Sequence, residues 1–168
     1  MWIVVDGYNL IRRLPVLRER ESESLEAGRA ALVNMLAAYR RARGHHRITV
    51  VFDGQGGPGG GGGRTAGIDV RFSRPGETAD RLIARLAREG RGGVLVVSSD
   101  RELAGAAAAA GAAAASCEEF AARLEAAAVA DLKGGEEEDL EERPAGKKGT
   151  ARRLPKAERR RAAALKRL

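Results

Sequence analysis

Three aspartates stand where apolar runs stop. Asp6 closes Trp2-Ile3-Val4-Val5, Asp53 closes Ile48-Thr49-Val50-Val51-Phe52, and Asp100 follows Val94-Leu95-Val96-Val97-Ser98-Ser99. Asn9 stands just after the first run, and Asp80 stands at the expected start of a helix. Short β-branched runs of this kind suit strands buried on both faces of a parallel sheet. Such sheets bind their ligands beyond the carboxyl ends of the strands, so three strands ending in Asp aim three carboxylates at one crevice. Like charges gathered there repel one another unless a cation holds them. Hard oxygen donors suit Mg²⁺ or Mn²⁺, as one ion or two, and phosphate-ester chemistry is the reaction class to expect.

The elements that must position these residues follow from pattern. A first strand spans about Trp2–Val5, followed by a loop through Asn9 and a short turn around Ile11–Leu14. A helix is expected from Ser24 to Arg43, with Leu25, Leu32, Leu36 and Tyr39 on its inward face and Gly44 as its stop. The second strand is Ile48–Phe52. The run 54–63, almost all glycine, reads as a flexible loop. A third strand is expected over about Ile68–Phe72, then a helix from Ala79 to Glu89 capped by Thr78. The fourth strand is Val94–Val97. Ser99 and Glu102 have capping-box spacing for the next helix, as do Ser116 and Glu119 for the one after it. Between those helices, Ala112–Ala115 is expected as a short edge strand. Alternating strands and helices imply a three-layer α/β/α sandwich with a mainly parallel central sheet and right-handed crossovers.

The chain has 168 residues and a net charge of +7, unevenly spread. Residues 1–127 hold 18 Arg, no Lys and 15 acids, and read as one domain. Residues 131–142 carry seven acids against Lys133, and 143–168 carry eleven bases against Glu158. The segment 128–150 therefore reads as an acidic linker without fixed structure, and 151–168 as a basic helical tail that opens near Pro155. With few apolar residues, that helix is expected to order only on a partner. Its Arg152, Arg153, Arg159, Arg160 and Arg161 suit nucleic acid or the ribosome; a solvated tail is the plainer reading. Cys117 is the only cysteine, which fits a reducing compartment. No stretch approaches the ~20 apolar residues of a membrane span, and Asp6 comes too early for a signal peptide. A cytoplasmic protein is expected.

The chemistry assigns roles. Asp6 is expected as the central metal ligand, since it ends the most central strand, and Asp80 comes next. Asp80 lies in the first turn of a helix whose N-terminus helps hold a phosphate. Asp100 and Asp53 complete the ligand set directly or through water. Asn9 orients a water or a phosphate oxygen without adding charge, and Glu77 supports from behind. Tyr8 is placed to stack on a base. Arg12, Arg13, Arg74 and Arg81 are placed to steer phosphates, and Ser98 and Ser99 to contact them or to cap helices. Plainer readings stand beside these: Asp100 and Asp80 as helix-start residues, Asp53-Gly54 as a turn dipeptide, Tyr8 as a rim residue. Asp6 has no plain reading, because an acid at the end of a buried strand needs a partner. His45 and His46 precede the second strand and read as surface residues at the opposite edge. The run 59–63 followed by Arg64-Thr65 imitates a P-loop but lacks its leading glycine, its lysine and its helix.

Several segments together carry a resemblance: Val4-Val5-Asp6-Gly7-Tyr8-Asn9-Leu10-Ile11, Val50-Val51-Phe52-Asp53-Gly54, Val70-Arg71-Phe72-Ser73, Gly76-Glu77-Thr78-Ala79-Asp80, Val96-Val97-Ser98-Ser99-Asp100-Arg101-Glu102-Leu103, and Ser116 with Glu119-Phe120. In this order, over about residues 1–125, they resemble the YacP-like branch of the NYN domain family of PIN-related nucleases. The glycine run and the charged tail stand outside the resemblance. It implies a PIN-like fold, metal-dependent endoribonuclease activity, and cleavage of mRNA in association with ribosomes. The rival reading is a catalytically silent RNA- or ribosome-binding module that keeps the fold.

Overall fold

In a computed structural model, which describes residues 1–44, 46–54, 62–90, 92–133 and 156–166, the chain forms six strands and seven helices. In order they are β1 (Trp2–Asp6), α1 (Gly7–Arg13), α2 (Pro15–Glu23), α3 (Leu25–Arg43), β2 (Arg47–Phe52), β3 (Gly63–Thr65), β4 (Ile68–Phe72), α4 (Ala79–Glu89), β5 (Val94–Val97), α5 (Arg101–Ala109), β6 (Ala113–Ala115), α6 (Cys117–Lys133) and α7 (Lys156–Leu165). The sheet runs β3-β4-β2-β1-β5-β6. Every pairing is parallel except that of β3 with β4. The architecture is the expected three-layer sandwich, with the alanine strand β6 at one edge.

Alternation along each strand divides the core in two. Ile3, Val5, Val50, Leu95 and Val97 turn to one face, where they pack with Leu10, Leu32, Leu36, Tyr39 and Phe120 of α1, α3 and α6. Val4, Val51, Val94 and Val96 turn to the other, against Leu82, Ile83 and Leu86 of α4 and Leu103 of α5. The chain leaves β1 toward the first face and β5, its neighbour, toward the second. Connections that part in this way open a crevice between the two strand ends, which places Asp6 beside Ser98 and Asp100.

Local rules predict most boundaries, and the departures have physical causes. The loop expected through Asn9 is helical from Gly7, because the Asp6 carboxylate caps α1 and accepts from the Asn9 N–H at 3.2 Å. Leu25, expected inside, is 55% exposed, since Ser24 is the N-cap and Leu25 precedes the first buried turn. Asp100, rather than Ser99, caps α5, accepting from the N–H groups of Glu102 (2.7 Å) and Leu103 (3.2 Å). Ser116 and Glu119 do form a reciprocal capping box. His46, expected on the surface, is buried and stacks with Tyr39. Its neighbour His45, and 55–61 of the glycine run, lie outside the described residues; β3 emerges at the end of that run and pairs with β4.

The C-terminal helix finds its partner within the chain. Ala164 and Leu165 pack against the larger core cluster, Arg160 donates to the Gly111 carbonyl at 3.0 Å, and Arg161 grips the Glu119 carboxylate at 2.7 Å. A basic helix with only a short apolar stripe gains order here from the Glu119 carboxylate and the Gly111 carbonyl beside the β6 edge. Burial alone would raise the Glu119 pKa, but Arg161 and the Ser116 N–H outweigh it and leave Glu119 below the usual value.

Gly7 marks the tightest joint between α1 and the sheet. A Cβ there would stand 2.3 Å from Cε1 of Phe52 and 2.5 Å from its Cδ1, and Phe52 is fully buried with no room to withdraw. Overpacking of this kind costs about 1–3 kcal/mol, so Gly7→Ala is expected to lower the denaturant midpoint accordingly with an unchanged m-value.

Candidate metal and phosphodiester site

The end of β1 is held by a hydroxyl from β5. Ser98, buried at the end of β5, donates to Asp6 Oδ2 at 3.1 Å while its oxygen accepts from Asn9 Nδ2 (3.2 Å) and the Asp100 N–H (3.1 Å). Asn9 Oδ1 in turn accepts from the Cys117 thiol at 3.7 Å. Burial raises the Cys117 pKa to about 11, so the sulfur stays protonated and serves as a donor. This chain of bonds fixes both faces of the Asn9 amide and one oxygen of Asp6. Burial pushes the Asp6 carboxyl up, against the bonds from Asn9 and Ser98 and the charge of Arg12.

Asp6, Tyr8, Asn9, Arg12, Asp53, Thr78, Ala79 and Asp80 line one cavity of about 250 Å³ beyond the strand ends. Asp53 comes from the end of β2, where the Ser73 hydroxyl donates to it at 2.7 Å and accepts from the Gly54 N–H at 3.0 Å. Asp80 comes from the first turn of α4, behind the Thr78 cap. Its carboxyl is raised by partial burial first, and then by the negative charges of Asp6, Asp100, Asp53 and Glu102. Asp100 stands at the margin, close enough to act on Asp80 but outside the lining, with one carboxylate oxygen committed to capping α5.

The structure thus brings together Asp6, Asn9, Asp53, Asp80, Tyr8 and Arg12. It places Arg13 and Ser99 elsewhere, both on Glu118: Arg13 at 3.0 Å, and Ser99 donating at 3.0 Å while accepting from the Cys117 N–H. Ser98 spends its hydroxyl inside the protein, and Glu77 pairs with Arg85. Arg160 and Arg161 dock α7, whereas Arg159 is exposed; Arg152 and Arg153 lie outside the described residues. Two contributors have no signal in the sequence. Arg29 of α3 donates to the Tyr8 hydroxyl at 2.7 Å and lies over the rings of Tyr8, Phe52 and Phe72 at 5.1–5.6 Å. Cys117 reaches Asn9 across 108 residues.

The donor set suits a hard divalent ion in type and charge: carboxylates with a single arginine against them. Among the described residues, however, no three His, Cys, Asp or Glu side chains converge into a ready ligand set. Mg²⁺ tolerates such a site, since it keeps several waters and takes one or two carboxylates together with substrate phosphate.

A mainly parallel α/β/α sandwich with carboxylates gathered beyond its central strands has the build of a PIN-like, nuclease-type domain. The chain belongs to the YacP-like NYN domain family, whose match spans residues 3–167 and so takes in the C-terminal helix as well as the motif-bearing stretch. It is 36% identical over 87 residues to the YacP protein of Bacillus subtilis (strain 168), an alignment covering 51% of each, so the match spans about half the length of that relative. The crystal structure of Rae1 (YacP) from Bacillus subtilis superposes with a TM-score of 0.69 at 28% identity, over 79% of this chain and 78% of that one. A mutant of the same protein gives 0.66 at 29% identity, over 76% and 77%.

Raised carboxyl pKa values have a definite sign in stability. A folded state that favours the protonated acid is most stable below the ordinary value of 3.8 and loses stability as pH rises through the folded value. Asp80→Asn is therefore expected to melt above wild type near pH 7 in EDTA. Solvent screening of this exposed group keeps the gap small, and it should close as pH falls toward 3.8. Thermal melts at a series of pH values measure it.

Proposed function

We propose that the chain is a divalent-metal-dependent endoribonuclease that hydrolyses RNA phosphodiester bonds. The observation that carries this reading is the cavity shared by Asp6, Asp53 and Asp80, in which burial and then the neighbouring acids raise the Asp80 carboxyl. Mg²⁺ or Mn²⁺, held by Asp6 and Asp80 with Asp53 and Asp100 reached through water, would polarise the phosphodiester and lower the pKa of a bound water. The chain's own residues supply the rest. Ser98 and the Asn9 N–H hold Asp6 in one orientation. Arg12 meets a phosphate oxygen at the cavity wall, and the first turn of α4 offers backbone N–H groups to it. Tyr8, its hydroxyl held by Arg29, presents a ring for base stacking.

The RNA is proposed to be mRNA on the ribosome, in line with the YacP-like membership, with the exposed Arg159 and its neighbours Arg152 and Arg153 as contacts. A cytoplasmic location accords with the reducing environment its single thiol suits. Among the described residues, no helix is long and apolar enough to cross a membrane.

One observation favours the rival, a silent RNA- or ribosome-binding module. Asp6 and Asp100 both serve as helix caps, which gives each a structural reason to be present. Thermal melts of the full chain in EDTA and in excess Mn²⁺, for wild type and Asp6→Asn, separate the two. Asparagine also caps helices, so the variant should fold. Ligand at about a hundred times its Kd stabilises by roughly 2.7 kcal/mol, or roughly 5–20 °C for a domain of this size. The enzyme reading expects that shift in wild type only, with RNA cleavage lost and RNA binding kept in Asp6→Asn. No Mn²⁺ shift in either protein, with no cleavage, would leave the binding module.

A further inference from the structure

The two faces of the sheet are unequally covered. On the α3 side the core reaches out to β4, whose Ile68, Val70 and Phe72 belong to it. On the α4 side, β4 and β3 contribute nothing to the core. Strand alternation turns Asp69 and Arg71 to this open flank, and Arg64 stands opposite Asp69 across the antiparallel pair.

Arginines line the flank from end to end. At the N-terminal ends of β2 and β4, at the opposite end of the strands from Asp6 and Asp53, Arg40, Arg47, Arg64 and Asp69 wall a cavity of about 450 Å³. Arg47 is held flat on the Trp2 ring at 4.1 Å. Arg40 is tied to the His46 carbonyl at 3.2 Å and lies against Gly67, where a Cβ would meet its Nη1 at 2.5 Å. Further along, Arg71, Arg74 and Arg85 share a smaller cavity of about 160 Å³ with Glu77 and Leu82. Arg74 follows Ser73, whose hydroxyl holds Asp53 in the catalytic cavity, so the row ends where the carboxylates begin.

Among the described residues, these charges outnumber their counter-ions. Asp69 already serves Arg47 (3.7 Å), Arg71 (3.1 Å) and the Thr49 hydroxyl (3.3 Å), and Glu77 serves Arg85. Arg64 and Arg74 are exposed and make no ion pair among the described residues. Unneutralised guanidinium groups in a row along the sheet flank suit the phosphate backbone of a single nucleic-acid strand.

We propose that the open β4–β3 flank is the track along which single-stranded RNA reaches the carboxylate cavity, its phosphates passing from the Arg40–Arg47–Arg64 cavity to Arg71 and Arg74. The identity of the ligand rests on the nuclease reading; the track itself rests on the geometry. It is a contact surface separate from both the catalytic cavity and the C-terminal arm, and it reads no sequence.

The test is fluorescence anisotropy of the full chain with a labelled single-stranded RNA in EDTA over a salt series. The double variant Arg64→Glu with Arg74→Glu is compared with Arg18→Glu plus Arg20→Glu, exposed arginines of α2 that carry the same change of charge. Loss of two phosphate contacts should reduce the salt slope by about 1.4 for a single strand and weaken binding at least about tenfold, with Tm unchanged, while the α2 variant stays within about twofold of wild type. Equal losses in both variants, no loss in the track variant, or no RNA binding by wild type would each overturn the proposal. Cleavage in Mn²⁺ is read separately. RNA binding that depends on the track without cleavage would overturn the nuclease reading alone, and cleavage with binding indifferent to Arg64 and Arg74 would overturn the track alone.

Discussion

The Asp6 carboxylate closes the central strand half inside the protein, where an ionised acid is costly unless its oxygens are bonded. One oxygen caps α1 through the Asn9 N–H and the other takes the Ser98 hydroxyl of β5. Through Ser98 and Asn9 the same group is tied to the start of α5 and to the buried thiol at the start of α6. Four elements from distant parts of the chain therefore take their relative positions from the satisfaction of one acid. Removing the need for that charge would remove the reason for the hydroxyl, the amide and the thiol to be where they are.

The arrangement is stabilised against dissolution but is not relaxed. Burial still raises Asp6, and Asp80 is raised further by acids it cannot escape. Groups held at the end of a sheet cannot separate to relieve repulsion, which adds to the cost of burial at Asp80. Perturbed carboxyls in a cleft mark a candidate functional site, and the helix caps at Asp6 and Asp100 give those two acids a structural use as well.

Opposite charge is arranged with the same economy. Arginine supplies every base of residues 1–127, and much of it is fixed by stacking or by shared carboxylates: Arg29 over three rings, Arg47 on Trp2, Arg71 on Asp69. A planar guanidinium lies flat on a ring where an ammonium would remain hydrated. At the C-terminus, Arg160 and Arg161 turn inward to dock α7, which divides the basic tail between a structural share and an exposed one.

How much was legible in the sequence depends on the range of the interaction. Runs closed by Asp6, Asp53 and Asp100, the caps at Thr78 and Ser116, and the alanine strand at the edge all follow from neighbours within a few residues, since strand alternation, helix period and capping are local. So did the approach of Asp6 to Asp53, because a parallel sheet delivers its strand ends to one side, whereas Asp80 joins them from the first turn of α4 and Asp100 stays at the margin. Even local reading failed at Gly7, where the carboxylate expected as a ligand starts a helix. The bond from Ser98 to Asp6 spans 92 residues, that from Arg29 to Tyr8 spans 21, and that from Arg161 to Glu119 spans 42. No spacing rule contains such pairs. They exist because packing of the layers brings the ends of β1 and β5, the faces of α1 and α3, and the beginnings of α6 and α7 within hydrogen-bond reach. The sequence by itself determined the elements and the acids they would present; the tertiary structure alone decided which hydroxyl, amide and guanidinium would hold them, because those contacts are set by packing across the sheet.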